Sequence, residues 1–442
     1  MFNLSFIIIG ALFLLGSFDD LFIDLIHFIF RLKPLEVSSR VWKRWRSMPE
    51  RRLAIMIPAW QEASVLEPMV RTNLRRIRYQ RYKWFIGVYP NDVETQAIAA
   101  DLLKRYPDKV EVIVADRPGP TSKAHCLNCI LKRIEESNYA PHFVAIHDAE
   151  DVIHPDAFTT INAHSSNREF IQLPIFSLPV PTTEWVSGTY LDEFAEIHLK
   201  EIPVRKVLGM PIPSAGVGTF FSYALLLRVR DHYGYFFDEG NLTEDYEISL
   251  RISRLGGRQD FLLLTDEKGE MVATREYFPH ELKRSIRQKT RWTTGIALQT
   301  TMKWKSFGVF SQGILKQKNL STAYGLFRDR KSLWSNPAVL MAWALIPVEW
   351  AHSHDMKSAA ILLHLNLTLF GVRMIQRARF CTILYGWRHG ALSVPRVLLS
   401  NVINSAACIK AIIQFFQAPK STPQRKIEWD KTDHRFPDLG AA

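Results

Sequence analysis

Three carboxylates fall within four residues at Asp148, Glu150 and Asp151, directly after the apolar run FVAIH. Carboxylates this close repel one another unless a cation or solvent screens them. Hard divalent ions favour such oxygens together with those of phosphate, although the same run also suits a solvated loop or a helix cap. A second acidic element is Thr243-Glu244-Asp245. Thr243 can cap a helix whose dipole favours the acids, and a cap also fixes a carboxylate for catalysis. Gln288, Arg291 and Trp292 stand in the basic stretch RQKTRW, and Lys123 in GPTSKAHCLN follows a turn into a helix N-terminus, a place that suits an anion. His147, His164 and His198 are irregularly spaced and no HExxH occurs, so they read as structural histidines. Cys126 and Cys129 form a CxxC with no second Cys/His pair nearby. They read as two buried thiols on a helix rather than a zinc or redox site. Asp192, Glu193 and Glu196 read as a solvated or cavity-facing helix face.

The elements that would position these groups follow from the hydrophobic pattern. Strand-like runs at 53–58, 84–90, 110–115 and 143–148 alternate with helical patterns near 62–78, 93–106 and 122–137. Such alternation predicts a parallel sheet covered by helices, with ligands beyond the carboxyl ends of its strands. Each run ends in polar or turn residues: Pro58 then Glu62, Pro90 then Asp92, Asp116 then Arg117, and His147-Asp148.

The chain has 442 residues, 47% hydrophobic, with a net charge of +12. Its cations cluster beside apolar segments, as in Arg31, Lys33, Arg40, Lys43, Arg44, Arg46, Arg51 and Arg52, which points to a lipid bilayer. No RNA-recognition or helix-turn-helix pattern appears, so no nucleic-acid partner is expected. The apolar N-terminus predicts an uncleaved spanning helix from about 3 to 25, with the basic flank cytoplasmic. Apolar stretches at 333–351 and 357–372 predict a hairpin whose turn, His352 to Asp355, faces outward. Residues 381–416, broken by Gly386, Arg388, Gly390, Pro395 and Arg396, fit one span, two short ones or an interfacial helix. Arg373 and Arg377 would mark a cytoplasmic helix end, and 280–305 reads as an amphipathic helix at the membrane surface. The expected organisation is a membrane helix with its basic flank (1–32), a cytoplasmic domain (50–310), C-terminal membrane or interfacial helices (333–416) and a cytoplasmic tail (417–442).

Taken in order, PAWQE, YPND, GPTSKA, HDAED, TED and QxxRW resemble the D, D, DxD, TED, QxxRW series of processive family-2 glycosyltransferases of the cellulose-synthase and hyaluronan-synthase kind. With PSAGVGT, LTEDY, REYFP, FRDRK and WDKTDHRFP, the chain from about 15 to 437 resembles the phage-adsorption protein B (NfrB-type) family of inner-membrane glycosyltransferases. The resemblance implies an α/β GT-A-type (Rossmann-like) domain plus α-helical transmembrane segments at both ends. It implies that Glu62 and Asp92 bind the nucleoside, that Lys123, Gln288 and Arg291 serve the nucleotide sugar and its diphosphate, and that Asp148 begins the DxD. Glu150 stands in the second DxD slot with Asp151 beside it, and either would complete the metal site for Mg2+ or Mn2+. Asp245 is the implied general base, with Glu244 adjacent, while Trp292, Gly216, Gly218 and Thr219 lie toward the acceptor. The implied activity moves sugar from a nucleotide sugar, UDP-linked by expectation, to a growing exopolysaccharide and helps translocate it. An outer-membrane export partner goes with that reading. The bacterial inner membrane, multi-pass with the catalytic domain in the cytoplasm, is the implied location. A non-processive enzyme acting on a lipid carrier, or a receptor scaffold with a relic fold, are the competing readings. The chemistry fits the roles. The leaving diphosphate gains charge and needs a cation, and the acceptor hydroxyl needs a carboxylate base. One base without a nucleophile inverts the anomeric centre.

Overall fold

The computed structural model describes residues 2–300, 317–352, 357–417 and 435–437. The expected outward turn at 352–355 and the tail after Pro419 lie almost wholly outside the described residues. The elements begin α1 (Phe2–Ile29), β1 (Leu35–Glu36), α2 (Ser39–Arg46), β2 (Leu53–Pro58), α3 (Ala63–Arg76), β3 (Tyr82–Val88), α4 (Val93–Arg105), β4 (Val110–Val114), α5 (Lys123–Glu136) and β5 (Phe143–Ile146). They continue with β6 (Val152–Ile153), α6 (Ala157–His164), β7 (Phe170–Gln172), β8 (Ile175–Ser177), α7 (Trp185–Glu196), a π-helical turn (Ile197–Glu201), α8 (Ile202–Val207), β9 (Thr219–Ser222) and α9 (Tyr223–Tyr233). The chain closes with α10 (Glu244–Arg254), β10 (Gln259–Phe261), β11 (Leu264–Thr265), β12 (Thr274–Glu276), α11 (Leu282–Thr293), a second π turn (Thr294–Thr300), α12 (Gln317–His352) and α13 (Lys357–Gln417). They group into a sheet unit (Lys33–Leu178, Pro211–Tyr277, Lys420–Ala442) and a helical unit (Met1–Leu32, Pro179–Met210, Phe278–Pro419).

The sheet unit is a three-layer α/β structure. Seven strands lie in the order β10-β7-β9-β5-β2-β3-β4. Strands β2 to β5 run parallel, as the alternating pattern predicts, whereas β9 is antiparallel to both β5 and β7. Every residue of Leu53–Pro58 is buried, because helices cover both faces of a parallel sheet. Ile55, Ile57, Trp84, Ile86 and Phe143 form the centre of its core.

In the helical unit α13 packs on α1, α7, α11 and α12. It is two helices joined across a kink at Gly386, where φ is 81° and ψ 169°. Among the described residues, Ile361–Gln417 is the stretch long and apolar enough to cross a membrane. Of the spans expected at both ends, the C-terminal one is thus found among the described residues. Asp19, Asp20 and Asp24 lie within α1 and are used in ion pairs: Asp19 with Arg328 (2.5 Å), Asp20 with Lys331 (2.5 Å) and Arg373 (2.8 Å), Asp24 with Lys200 (2.8 Å).

Three readings of charged segments are corrected here. Asp192 is not solvated but fully buried, accepting two bonds from Arg396, at 2.9 and 2.6 Å. Arg377 does not simply mark a helix end: it is buried 3.7 Å from Asp192 and 3.8 Å from Glu196. Nor does α11 lie as a free surface helix, since Lys289 is buried and bonded to Glu193 (2.5 Å) and Asn404 (2.9 Å). The periodicity showed the acids; it could not show cations far along the chain that pair with them. Removing one partner of a buried pair leaves an uncompensated charge. Asp192→Ala is accordingly expected to destabilise the detergent-purified protein by about 3–5 kcal/mol, whereas Asp192→Leu with Arg396→Met is expected to come near wild type. Thermal melts of the three proteins check this, and an unchanged midpoint in Asp192→Ala would contradict it.

Candidate active site

The register of the sheet unit brings the motif loops to one edge. Pro58 lies beside Gly87, Met56 beside Ile146, and Val88 beside Val114. The loops bearing Glu62, Asp92, Lys123 and Asp148 therefore leave the same carboxyl edge. Antiparallel β9 begins at Thr219, level with Ile146 and Gln172, so the Gly216–Gly218 loop enters at that edge as well.

The first two loops are locked by their own polar groups. The buried Asp92 accepts from the Gln61 amide (2.5 Å) and from Thr95 N–H (3.2 Å), which caps α4. Gln61 sits at φ 57°, a conformation that non-glycine residues reach only when held there. Glu62, also buried, donates its amide to Thr95 Oγ1 (2.9 Å). Asn91 exchanges two 2.7 Å bonds with the Gly119 backbone. A Cβ at Gly119 would fall 2.5 Å from the Trp60 ring, which itself packs edge-on against Tyr89.

The acidic knot divides its labour. Lys123, the first residue of α5, reaches Asp148 Oδ1 at 2.5 Å. Burial opposes its charge, but Asp148, Glu244 and Asp245 outweigh burial and raise its pKa above the ordinary lysine value. Asp151 is fully buried and accepts from the Asp148 amide (3.1 Å), and its Oδ2 lies 2.7 Å from His147 Nδ1. Burial, then the charges of Asp148 and Glu150, push its pKa well up. Burial also drives His147 down to about 3. Asp151 thus shapes the turn on which Asp148 stands, which weighs against it as a metal ligand. Glu150 is buried beside it. Asp148 suits a hard divalent ion, because Mg2+ characteristically takes one or two protein carboxylates and substrate phosphates. Among the described residues, the three-residue groups whose ligand atoms converge lie elsewhere: Asp116, His125 and Cys129, and His154, Asp266 and Glu270.

Asp245 is half-buried in the first turn of α10, its Oδ1 accepting from the Tyr246 amide at 2.8 Å. Thr243 is the N-cap residue, yet its side chain makes no capping bond; its hydroxyl turns to Asn241. Glu244 is buried. Gly216 lies against the base candidate: a Cβ on it would stand 2.6 Å from Asp245 Oδ2, and its φ is 82°. Gly218 is buried at φ 60° against Thr274. Thr219, expected toward the acceptor, is instead fully buried and bonded to Gln172 Oε1 (2.6 Å) and Ser214 (2.9 Å). Gln172 also accepts from the Ala215 amide and donates to the Val217 carbonyl. This one amide holds the whole SAGVGT loop.

The QxxRW residues belong to the helical unit. Gln288 accepts from the Tyr190 hydroxyl at 2.9 Å. Trp292 packs on Tyr190 and Phe194. Arg291 is half-buried, and its Nε is buried with no hydrogen-bond partner among the described residues. Sequence reading missed Trp60, Asn91, Gln172 and Tyr190. The first two stand inside PAWQE and YPND, but no pattern marks Gln172 or Tyr190.

Cys126 is buried as expected, whereas Cys129 is not: it is half-exposed on the face of α5 that carries His125. Because the Gly216 position tolerates neither a methyl group nor an ordinary φ, Gly216→Ala is expected to displace Asp245. Turnover should fall at least about tenfold while nucleotide affinity changes little, as expected when a group acting in the transition state is moved. A full turnover rate in Gly216→Ala would exclude close packing of this loop on Asp245.

A family model described as glycosyltransferase-like family 2 matches residues 49–295. Bacteriophage adsorption protein B of Escherichia coli (strain K12) is 35% identical over 480 residues, covering 98% of this chain and 62% of the relative. Bacteriophage N4 adsorption protein B of Escherichia coli O157:H7 matches to the same extent. The chain therefore spans 62% of the length of these curated relatives. Among solved structures, residues 1–349 of S. aureus TarS in complex with UDP-GlcNAc align at 10% identity and a TM-score of 0.38, covering 82% of this chain and 92% of that one, a likeness too remote to argue from. The family match spans more than half of the chain and every motif loop described above, and on that ground the chain belongs to glycosyltransferase-like family 2 and is a glycosyltransferase.

Proposed function

We propose that this glycosyltransferase inverts the anomeric centre of a UDP-linked sugar, transferring it to a growing exopolysaccharide at the cytoplasmic face of the bacterial inner membrane. The observation that carries this reading is the Lys123 ammonium set among Asp148, Glu244 and Asp245, with Gly216 pressed on the Asp245 carboxylate. Such a site can take a proton and neutralise a leaving diphosphate at once. The acceptor hydroxyl loses its proton to Asp245 as its oxygen bonds to the anomeric carbon. The bond from that carbon to the diphosphate breaks, and the electron pair leaves with the nucleotide. Lys123 faces the developing charge, where fixed cations act most strongly, and the QxxRW motif assigns Arg291 to the same diphosphate. Asp148, with Glu150 behind it, would hold Mg2+ or Mn2+, which supplies a further positive charge to the diphosphate. Glu62 and Asp92 shape the loop that receives the nucleoside. Gly216 and Gly218 border the acceptor side, to which the QxxRW motif also assigns Trp292.

The membrane location is supported by the apolar stretch Ile361–Gln417. On this reading α1 is a second, charged span within a multi-pass protein, and the helical unit lets the product leave toward an outer-membrane partner. The 50–310 segment is the cytoplasmic part.

Asp245→Asn keeps size and hydrogen bonding but cannot accept a proton. It is expected to lose about 10²–10⁴ in turnover while titrating with nucleotide as wild type does. Released nucleoside diphosphate, measured with a panel of nucleotide sugars, reads the first quantity, and near-normal turnover rejects the assignment. Asp148→Ala, or excess chelator on the wild type, should abolish release; full activity in chelator would exclude the metal. Product length then separates a polymer from a single addition to a lipid carrier.

A further inference from the structure

We propose that Asp116, His125 and Cys129 form a zinc site, separate from the carboxylates that serve sugar transfer. Asp116 Oδ1 lies 3.0 Å from His125 Nε2, Cys129 Sγ lies 3.7 Å from that nitrogen, and Sγ to Oδ1 is 4.0 Å. In a tetrahedral zinc site, bonds of about 2.0 Å to N and O and 2.3 Å to S place these atoms roughly 3.3–3.5 Å apart. The three donors stand near those separations. His125 and Cys129 are four residues apart on α5, so one helix face presents both. Asp116 comes from the segment after β4. Three protein donors leave a fourth position for water.

The surroundings supply a second shell. Glu239 Oε1 lies 3.3 Å from His125 Nδ1, the arrangement in which a carboxylate fixes the ring of a ligating histidine. Asn128 Nδ2 donates to the same Oε1 at 3.4 Å. Arg117 is the competing cation. It pairs with Glu239 at 2.5 Å, contacts His125 Nδ1, lies 3.4 Å from His125 Nε2 and stands 3.7 Å from Asp116. Zinc binding displaces it from Nε2 and releases the Cys129 thiol proton, together with any proton on Nε2. The donor set of one thiolate, one imidazole and one carboxylate suits Zn2+ and not Mg2+.

The location gives the ion a purpose. It ties the end of β4 to the start of α5, whose first residue is Lys123. Its second shell reaches Glu239, in the segment leading to Glu244 and Asp245. Zinc would thus fix the placement of Lys123 without taking part in the transfer.

Cobalt(II) reports on the site directly, since thiolate ligation gives a charge-transfer absorption that carboxylate sites lack. The full chain in detergent, stripped with chelator and held in excess Mg2+, is titrated with Co2+. The band should saturate at one ion per chain and vanish on adding Zn2+. It should be lost in Cys129→Ser and His125→Gln and kept in Cys126→Ser and Asp148→Ala. Arg117→Gln should tighten Co2+ binding by about tenfold, because a competing cation is removed. In the wild type, Zn2+ should also slow alkylation of Cys129 by N-ethylmaleimide at least about tenfold, because the bound thiolate is no longer free to react. That readout needs no variant to fold. Absence of a cobalt–thiolate band in the folded wild type, a band that survives Cys129→Ser, or unaltered alkylation in zinc overturns the site.

Discussion

One ammonium group organises the carboxyl edge of the sheet unit. Asp148, Glu244 and Asp245 come from segments nearly a hundred residues apart, and their like charges would drive the loops apart. Lys123 lies among them, touches Asp148, and stays charged because together they outweigh its burial. Its place is set by the N-terminus of α5, where Ser122 caps the helix by accepting from the His125 amide. On the proposed function, a diphosphate brought to this cluster meets a cation that is already fixed, so little reorganisation is left for the reaction step.

Hydrogen bonds hold the backbone around that charge. The two bonds between Asn91 and Gly119 close the loops after β3 and β4 on each other. Gln172 spends its amide on the Ala215–Thr219 turn, and Asp92 holds Gln61 in a left-handed conformation. A strained residue persists only where its surroundings over-determine it. Here a buried carboxylate does so, at the loop expected to receive the nucleoside. Loops held this way behave as parts of the scaffold, which sub-ångström positioning of a reacting hydroxyl requires.

The parallel strands were legible because runs such as LAIMIP are apolar on both faces, and the loop carboxylates because their order matched a known series. The division within DAED was not legible. Whether Asp148 or Asp151 turns outward depends on a turn closed by His147 and the Asp148 amide, and sequence spacing carries no such information. Thr219 looked like an acceptor-side hydroxyl, yet Gln172, forty-seven residues earlier, takes it inward. The CxxC was read as one unit. A three-residue step on a helix is short of a full turn, so Cys126 enters the core while Cys129 looks toward Asp116. The acids of α7 failed for the same reason as Thr219: their partners are distant in sequence.

Those α7 acids show how the helical unit fixes the register of its own helices. A buried charge is tolerable only beside its partner, so each pair admits one register between its helices. Asp192 and Glu196 stand one turn apart on α7. Asp192 binds Arg396, beyond the Gly386 break in α13, and both acids face Arg377, before it. A one-turn slip of either half of α13 would strand several charges at once, so the pairs act as a key for the bundle. Between them, Glu193 binds Lys289, and Tyr190, three residues before it, holds Gln288. The helix carrying Gln288, Arg291 and Trp292 is therefore set by the same helix, α7, that fixes α13. Replacing that ionic face with apolar side chains could preserve stability, but it would remove the register that determines where the Arg291 guanidinium stands.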